Sequence, residues 1–408
     1  LVYETLQKMV GLTKPQRKFM GILLETIVGM LGRVNFANMG RQSPFNEKTF
    51  SRNFAKSFDY LIFNSIAIEQ VYTPTKRYVL GFDQVFIPKT GKGTYGLGKV
   101  WNGSGGCAEN GIEASGFALI DVESRISYPL YAAQTPPSDE IVTLVNHPNA
   151  TRMDYYTHIM HEQMLRLKAI YPAVKHIVVD AFFATNKFVE VVTNANNHIV
   201  TKLRSNANLR SLKFEKITGR GRPKKYGSKL DVKNDNDFKY IDEITIIINN
   251  RPRKVSLFVS DCYSMALKRS VRVVRIKYKG AITILCSTDY ELSPQEIIEM
   301  YRSRFQIEFS FRDAKQYTGF TECQARSKQK IHHHLNASFS ALLCTKIEDV
   351  KKQQNQNYKR PFSMASYKRQ KHNEISINRI FSSYGFDPNL IKSHPGTKNL
   401  IEYGVIRY

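Results

Sequence analysis

The sequence predicts a mixed α/β fold that is interrupted by a β-rich insertion and flanked by a helical N-terminal region and a basic C-terminal region. Three observations lead to this prediction. Strand-like apolar runs at 78–87 and 176–180 alternate with helical periodicity, which is the pattern of an α/β sheet. A block of strand patterns at 244–287 has no helix between its members. Residues 292–315 then form a helical pattern with charged residues on its inward face.

Composition points to a globular protein with a polyanionic partner. The 408 residues include 42% hydrophobic residues, enough for a large core, and 60 Lys and Arg against 35 Asp and Glu give a net charge of +25. This excess favours nucleic acid over a membrane surface as the partner. We expect no membrane-spanning segment and no signal peptide. Because Leu1 is not a methionine, we expect that N-terminal sequence may be missing. Five scattered cysteines without a CxxC pair favour a reducing cytosol and argue against a zinc finger.

Residues 1–75 are predicted to be helical. Thr13, followed by Pro15 and Gln16, is a helix start signal, and Asn46 is a candidate cap for a second long helix that ends near residue 63. Basic residues between Arg33 and Lys56 fit a small DNA-binding unit. A helical lid on the following domain fits these residues equally well.

Residues 76–203 are predicted to form the first part of the α/β core. We expect strands at 78–87, 116–122 and 126–133, a helix at 153–171, a strand at 176–180, a helix at 187–195 and a strand at 198–203. Three strands, a helix and a further strand that carries an acid are typical of a mixed sheet.

Residues 204–287 are predicted to be a β-rich insertion with a basic loop. Positions 202–229 contain ten Lys or Arg and one acid. The loop is either solvated or lies along a DNA minor groove, and its candidate contacts are Arg220, Arg222, Lys224 and Lys225. Strands are expected at 244–249, 254–260, 271–278 and 281–287.

Residues 288–352 are predicted to complete the core with two helices. The first begins at Ser293, in a capping box with Glu296, and is expected to run for about six turns. Its inward face carries a charged stripe, and Phe305 is expected to pack against the interior beside it. The same periodicity predicts that the opposite face carries Glu299, Ser303, Gln306 and Ser310. The stripe comprises Tyr301, Arg304, Glu308, Arg312 and Lys315. An ordinary solvated i,i+4 ion pair is the alternative interpretation.

A helix at about 332–351 follows, and residues 353–408 form a basic region to which the sequence assigns no fold. The three consecutive histidines from His332 point about 100° apart on a helix, so they cannot hold one ion together and mark the start of that helix.

Three acids are the candidates for metal-dependent phosphoryl transfer on DNA. Such chemistry requires carboxylates that hold two divalent ions, and carboxylate oxygens suit Mg²⁺ or Mn²⁺. Asp83 lies within an apolar strand, Asp180 ends another core strand, and Glu308 lies on the helical stripe. Asp121 is the competitor, but its position at the end of a hairpin predicts a solvated turn acid.

The helical stripe resembles a family signature. Tyr301, Arg304, Glu308 and Lys315 reproduce the Y-x2-R-x3-E-x6-K pattern of the DDE transposases of bacterial insertion sequences. The segment from Asp180 to Phe183 is similar to the surroundings of the family's second aspartate, and Asp83 looks like the first. The long insertion between Asp180 and Glu308 also agrees with the family. The resemblance covers residues 76–345.

The resemblance implies a ribonuclease-H-like core, two bound Mg²⁺ ions that Mn²⁺ may replace, and cut-and-paste movement of an element bounded by inverted repeats. Asp83, Asp180 and Glu308 would hold the metals, while Tyr301, Arg304 and Lys315 would position phosphates. Arg312 lies outside the signature and could join them. The implied partners are transposon ends and target DNA, and the resemblance favours a homodimer on paired ends. The implied location is the bacterial cytoplasm, at the nucleoid when DNA is bound.

The sequence departs from the family at two positions. Phe305 follows the signature arginine where many members have tryptophan, and we expect its packing to be kept. The only tryptophan, Trp101, lies outside the insertion in which some relatives use one to hold a flipped base, so the hairpin-forming variant of the chemistry is not indicated.

Two other functions were weighed. A tyrosine recombinase is disfavoured because none of the ten histidines has an arginine three positions later. A DNA-binding protein that keeps this fold without activity is the remaining alternative. Retention of all three acids argues against it.

Overall fold

A large mixed sheet forms the centre of the chain in a computed structural model that describes residues 1–212, 226–248, 251–356, 360–387 and 394–406. Twelve strands of these described residues hydrogen-bond into this sheet, in the order β2-β3-β1-β5-β6-β12-β11-β10-β7-β8, with β4 beside β3 and β9 beside β10. The basic-loop candidates Arg220, Arg222, Lys224 and Lys225 lie outside the described residues.

Five helices form the N-terminal region. They are α1 (Val2–Lys8), α2 (Lys14–Gly29), α3 (Phe36–Gln42), α4 (Glu47–Asn53) and α5 (Tyr60–Ile68). Thr13 caps α2 in a capping box with Gln16, and Asn46 caps α4, as the sequence predicted. The single long helix expected after Asn46 is wrong, because the chain turns after Asn53 and restarts at α5 with Asp59 as the cap.

The first part of the core contains six strands and three helices. The strands are β1 (Tyr78–Pro88), β2 (Gly98–Asn102), β3 (Cys107–Asp121), β4 (Ile126–Gln134), β5 (His176–Val179) and β6 (His198–Leu203). The helices are α6 (Ser138–Val145), α7 (Arg152–Ile170) and α8 (Asn186–Asn194). The sequence analysis did not predict β2 or α6.

Strand β1 lies inside the sheet and is covered on both faces. It pairs antiparallel with β3 and parallel with β5, and β5 pairs parallel with β6. One face, through Phe82, packs on α7 and α8, and the other, through Val85 and Ile87, belongs to the same apolar cluster as the later helices. Burial on both faces explains why β1 reads as an almost continuous apolar run. The predicted mixed α/β class is confirmed.

The β-rich segment extends this sheet through strand β12. Its strands are β7 (Leu209–Ser211), β8 (Lys229–Leu230), β9 (Lys239–Ile248), β10 (Arg251–Ser264), β11 (Arg269–Tyr278) and β12 (Ala281–Ser287). Strand β12 pairs antiparallel with β6 of the core. The predicted strands of this segment are confirmed as elements, although β9 and β10 begin earlier than the sequence suggested.

The predicted six-turn helix is two helices, α9 (Pro294–Ser303) and α10 (Phe305–Tyr317), which meet at Arg304. Ser293 caps α9 with Glu296, as predicted. The expectation that Ser303 and Ser310 point away from the interior is wrong. Both are buried, and their hydroxyls donate to the Met300 carbonyl and to Ser127 Oγ. The turn at Arg304 changes which residues of the segment face inward.

The chain ends with helices α11 (Lys328–Gln356), α12 (Met364–Ser383) and α13 (Pro395–Ile401). Helix α11 packs on β4 and on α2 and α5, and α12 packs against α2. The Lys368 ammonium of α12 donates to the carbonyls of Ile27 and Tyr317, which joins the C-terminal region to both the N-terminal helices and α10. Across the described residues, every helix falls short of the length or apolar character that bilayer crossing requires.

Candidate active site

The register of two parallel strands places Asp83 beside Asp180. Leu80 pairs with Ile177, and Gly81 pairs with Val178. Two residues further along, the same register sets Asp83 opposite Asp180. Adjacent strands are about 4.8 Å apart. Asp180 directly follows β5, where the chain turns into a short 3₁₀ segment. The two acids are therefore neighbours although 97 positions separate them in the sequence.

Burial perturbs Asp83 strongly. Its side chain is 17% exposed, and burial raises the pKa of its carboxyl to about 7. The Arg304 guanidinium and the Gln84 N–H, which donates to Asp83 Oδ1 at 2.9 Å, oppose this rise in pKa, whereas the charges of Glu308 and Asp180 add to it. A carboxyl with such a pKa beside two other acids is typical of a functional site.

Arg304 lies between the first and third candidate acids. Its Nη1 is 3.4 Å from Asp83 Oδ2, and its Nη2 is 2.8 Å from Glu308 Oε1. The arginine side chain is only 13% exposed, whereas that of Glu308 is 39% exposed. Burial lowers the pKa of Arg304, but the nearby Asp83 and Glu308 carboxylates outweigh burial and raise it. The turn between α9 and α10 thus delivers a buried cation to the carboxylates.

Asp180 completes the group electrostatically. Its charge acts on Asp83, Tyr301 and Arg304, and its side chain is half-buried. Within the described part of the chain, no hydrogen bond or ion pair engages its carboxylate, although the Thr201 hydroxyl donates to its backbone carbonyl at 3.2 Å. The structure therefore brings all three candidate acids together around Arg304.

The other stripe residues take different positions. The Tyr301 ring centroid is 5.8 Å from the Arg304 guanidinium, and burial raises the pKa of its phenol. Lys315 is half-buried two turns after Glu308, burial lowers the pKa of its ammonium, and the described residues offer it no ion pair. Arg312 is exposed and contacts Asp313 at 2.8 Å and the Phe309 ring, instead of the three acids.

The three carboxylates fit divalent cations in chemistry, while Arg304 stands where cationic charge is needed. Oxygen ligands suit Mg²⁺ and Mn²⁺. Among the described residues, no three His, Cys, Asp or Glu side chains converge closely enough to hold an ion as they stand. The buried Arg304 Nε also has no partner in the described chain, which leaves an unsatisfied donor. Cation binding would therefore require the guanidinium to move away from the carboxylates.

Two expectations about neighbouring residues are wrong. Asp121 is not a solvated acid: it is 1% exposed, pairs with Lys76 at 3.0 Å and accepts the N–H groups of Glu123 and Ser124. Phe305 does not pack inward, since it is 48% exposed and contacts Phe309 edge-on. The histidines from His332 lie in the first turns of α11, as predicted, and His333 and His334 are buried.

Sequence analysis missed two features of the site. Gly116 is paired with Asp83 on β3, and a Cβ atom there would lie 2.6 Å from the Phe311 ring of α10. A glycine inside an apolar strand is the signal that indicates such a close approach. A basic cleft beyond β1, which includes Lys89 and Lys99, was also missed because its residues come from distant parts of the sequence.

Two family models match this chain. A family model described as DDE superfamily endonuclease matches residues 7–243, and a model described as transposase DDE domain matches residues 150–344. Among solved structures, the chain is similar to the piggyBac transposase in a cryo-EM synaptic complex with hairpin DNA. The identity is 12% and the TM-score 0.41, over 100% of this chain and 81% of that chain. A search of curated proteins gave no significant match.

The family matches and the sheet lead to one assignment. A mixed sheet with helices on both faces and acids on neighbouring strands fits the ribonuclease-H-like core that the motif resemblance implied. The first family model covers more than half of the sequence. The chain therefore belongs to the DDE superfamily of endonucleases and transposases.

Proposed function

We propose that this protein is a transposase of the insertion-sequence group with the Y-R-E-K signature. It would bind the terminal inverted repeats of its element, cut DNA at the element ends and join the ends to target DNA. The observation that carries the proposal is the meeting of Asp83, Asp180 and Glu308 around Arg304. These residues come from a strand, the end of a second strand and a helix, and structural stability alone does not require three acids around one arginine.

Asp83, Asp180 and Glu308 are proposed to hold two Mg²⁺ ions, for which Mn²⁺ may substitute. When bound, the ions would neutralise charge at the attacked phosphate and make a water molecule more acidic. The raised pKa of Asp83 reflects burial and nearby negative charge, so a cation there would favour the ionised carboxylate. Half-exposed Glu308 and Asp180 leave the acids accessible from solvent.

Arg304, Tyr301 and Lys315 are proposed to orient the DNA backbone. Once displaced from the carboxylates, the Arg304 guanidinium offers paired donors that match a phosphate. Lys315, for which the described residues offer no ion pair, supplies a cation about 10 Å from Glu308 along α10, at 1.5 Å per residue. Arg312 is exposed on the same helix and would contact DNA at the rim. A 3′-hydroxyl freed at the element end would then attack target DNA.

The proposed partner is double-stranded DNA, bound by a homodimer on paired transposon ends. The net charge of +25 supports a polyanionic partner. The helical region at 1–75 would bind DNA, 76–203 and 288–352 would form the catalytic core, and 204–287 would be the insertion whose loop, with Arg220, Arg222, Lys224 and Lys225, contacts DNA. The basic region 353–408 would complete the chain, which would act in the bacterial cytoplasm at the nucleoid.

Cleavage of a DNA fragment that carries the element end tests this proposal. We expect Mg²⁺-dependent nicking by the natural chain and at least a 10³-fold loss in Asp83→Asn, Asp180→Asn and Glu308→Gln, because carboxylates that hold catalytic ions are lost. Glu299→Gln is the matched control, since Glu299 lies on α9 and, among the residues that the structure describes, its only ion pair is with Arg77. Undiminished cleavage by Glu308→Gln would refute the assignment of the site.

One observation favours an alternative, a DNA-binding protein without activity. Arg304 bridges Asp83 and Glu308, and such a bridge could be a permanent substitute for metal. On this alternative, EDTA and Mg²⁺ would give the same DNA-binding affinity, and no cleaved product would form.

A further inference from the structure

A polar cleft opens at the end of β1, beyond the candidate active site. Its volume is about 1160 Å³. The end of β1, the β2–β3 hairpin, the connection between α10 and α11, and the N-terminal region all contribute to its walls. The cleft thus lies where the catalytic sheet, the helix that carries Glu308 and the N-terminal helices meet.

Four cations line the cleft, and none has a carboxylate partner within the described chain. They are Arg33, Lys89, Lys99 and Arg326. The Lys89 ammonium donates to backbone carbonyls of Thr321 and Cys323. These four cations in one cleft give a local excess of positive charge. Such an excess attracts a polyanion.

The two acids of the cleft offset only half of this charge. Glu109 accepts from the Asn102 amide at 2.8 Å, and Glu322 accepts from the Val34 backbone N–H at 2.6 Å. Both carboxylates therefore have neutral donors and hold the walls together. Lys99 and Arg326 are exposed, so their charged ends are available to a ligand.

The cleft continues from the candidate active site along one strand and one helix. Pro88 is five positions after Asp83 on β1, so the distance between them is about 16 Å at 3.3 Å per residue. On the helical side, Lys315 lies between Glu308 and the connection that lines the cleft. A DNA strand has one phosphate per 3.4 Å of helix axis, so this distance equals about five base pairs.

We propose that this cleft binds the backbone of the transposon-end duplex, about five base pairs inside the cleavage point. The inference rests on the proposed function, because it takes DNA as the substrate of Asp83, Asp180 and Glu308. Lys99 and Arg326 contact phosphates across the cleft, and Lys89 stiffens its floor through its bonds to the α10–α11 connection. These phosphate contacts fix the register of the DNA and carry no base specificity.

Affinity and its salt dependence test Lys99 and Arg326, two of the three exposed cations of the cleft. We expect Lys99→Ala and Arg326→Ala each to weaken binding of an element-end duplex about tenfold, which corresponds to about 1.4 kcal/mol. The slope of log K against log salt should fall by about 0.9 for each lost contact. Lys175→Ala is the control, since exposed Lys175 precedes β5, at the end of the parallel strands β1 and β5 that lies opposite the cleft.

Ethylation interference locates the contact. We expect ethylation of phosphates about five nucleotides from the cut, on the transposon side, to block binding by the natural chain, and this block to disappear in the Arg326→Ala variant. Interference only on the flanking side, or an unchanged salt slope in both variants, would overturn the inference while leaving the proposed function intact. Failure of the natural chain to bind or cut element-end DNA would overturn both.

Discussion

Replacement of Arg304 by glutamine is the perturbation whose effect follows most directly from the site geometry. The guanidinium lies 3.4 Å from Asp83 and 2.8 Å from Glu308, and Asp180 is also within its electrostatic reach. Glutamine keeps a polar side chain of similar length but removes the charge. The metal-free variant is left with three acids and no cation between them.

The expected cost is about 2 kcal/mol. Removing one partner of a fully buried ion pair costs roughly 3–5 kcal/mol. Two features reduce this figure here: Glu308 is 39% exposed, and Asp83, whose pKa is already about 7, can take up a proton. For a chain of 408 residues, whose entropy of unfolding is about 0.86 kcal/mol/K at roughly 2.1 cal/mol/K per residue, about 2 kcal/mol corresponds to a decrease in Tm of about 2 °C.

Thermal unfolding at pH 8 measures this effect with and without divalent cation. In EDTA, Arg304→Gln should melt about 2 °C below the natural chain. Added Mg²⁺ should stabilise the variant more than the natural chain, because no guanidinium competes with the cation for the carboxylates. Equal Tm values in EDTA, or equal Mg²⁺-induced shifts, would refute the reasoning that Arg304 compensates the site in the absence of metal. Arg302→Gln is the control, because Arg302 lies two residues before Arg304 and its guanidinium donates to the Ile247 carbonyl.

Two further predictions follow from packing and burial. Gly116→Ala should lower DNA cleavage more than tenfold and reduce the free energy of unfolding by about 1–3 kcal/mol, because the new Cβ would displace Phe311 and the helix that carries Glu308. Gly98→Ala is the control: Gly98 has open space around it, so neither the cleavage rate nor Tm should change. Burial lowers the pKa of His333 to about 3, so unfolding binds a proton below pH 6.5 and stability falls as the pH drops from 6.5 towards 3. His333→Gln should flatten the fall in Tm between pH 6.5 and 5 relative to the natural chain, and an unchanged slope would contradict the buried neutral imidazole.

Much of the core was predictable because local patterns decide it. The strand of Asp83, the strand before Asp180 and the cap at Ser293 all follow from periodicity and capping chemistry, which depend on neighbouring residues alone. The spacing from Tyr301 to Lys315 predicted that these residues belong to one functional helix segment. These local patterns and the Y-R-E-K spacing therefore predict the three acids of the candidate site.

The remaining features depend on distant residues. The register that places Asp83 beside Asp180 is set by sheet assembly, and no local pattern reports it. The helix breaks at Arg304 without a proline or glycine that would predict the break from the sequence. Ion pairs with Asp83 and Glu308 hold the Arg304 side chain in place. Phe305 is exposed because that turn reorients α10. Tertiary contacts override helix periodicity at these positions.

Cleavage of the polypeptide by bound iron tests whether three acids that are distant in the sequence form one divalent-cation site. Fe²⁺ replaces Mg²⁺ at oxygen-ligand sites and, with ascorbate and peroxide, cuts the backbone next to the bound ion. We expect Mg²⁺-suppressible cuts near residues 83, 180 and 308 together, all lost in Asp180→Asn. Cuts at one of these positions only, or none that Mg²⁺ suppresses, would contradict it.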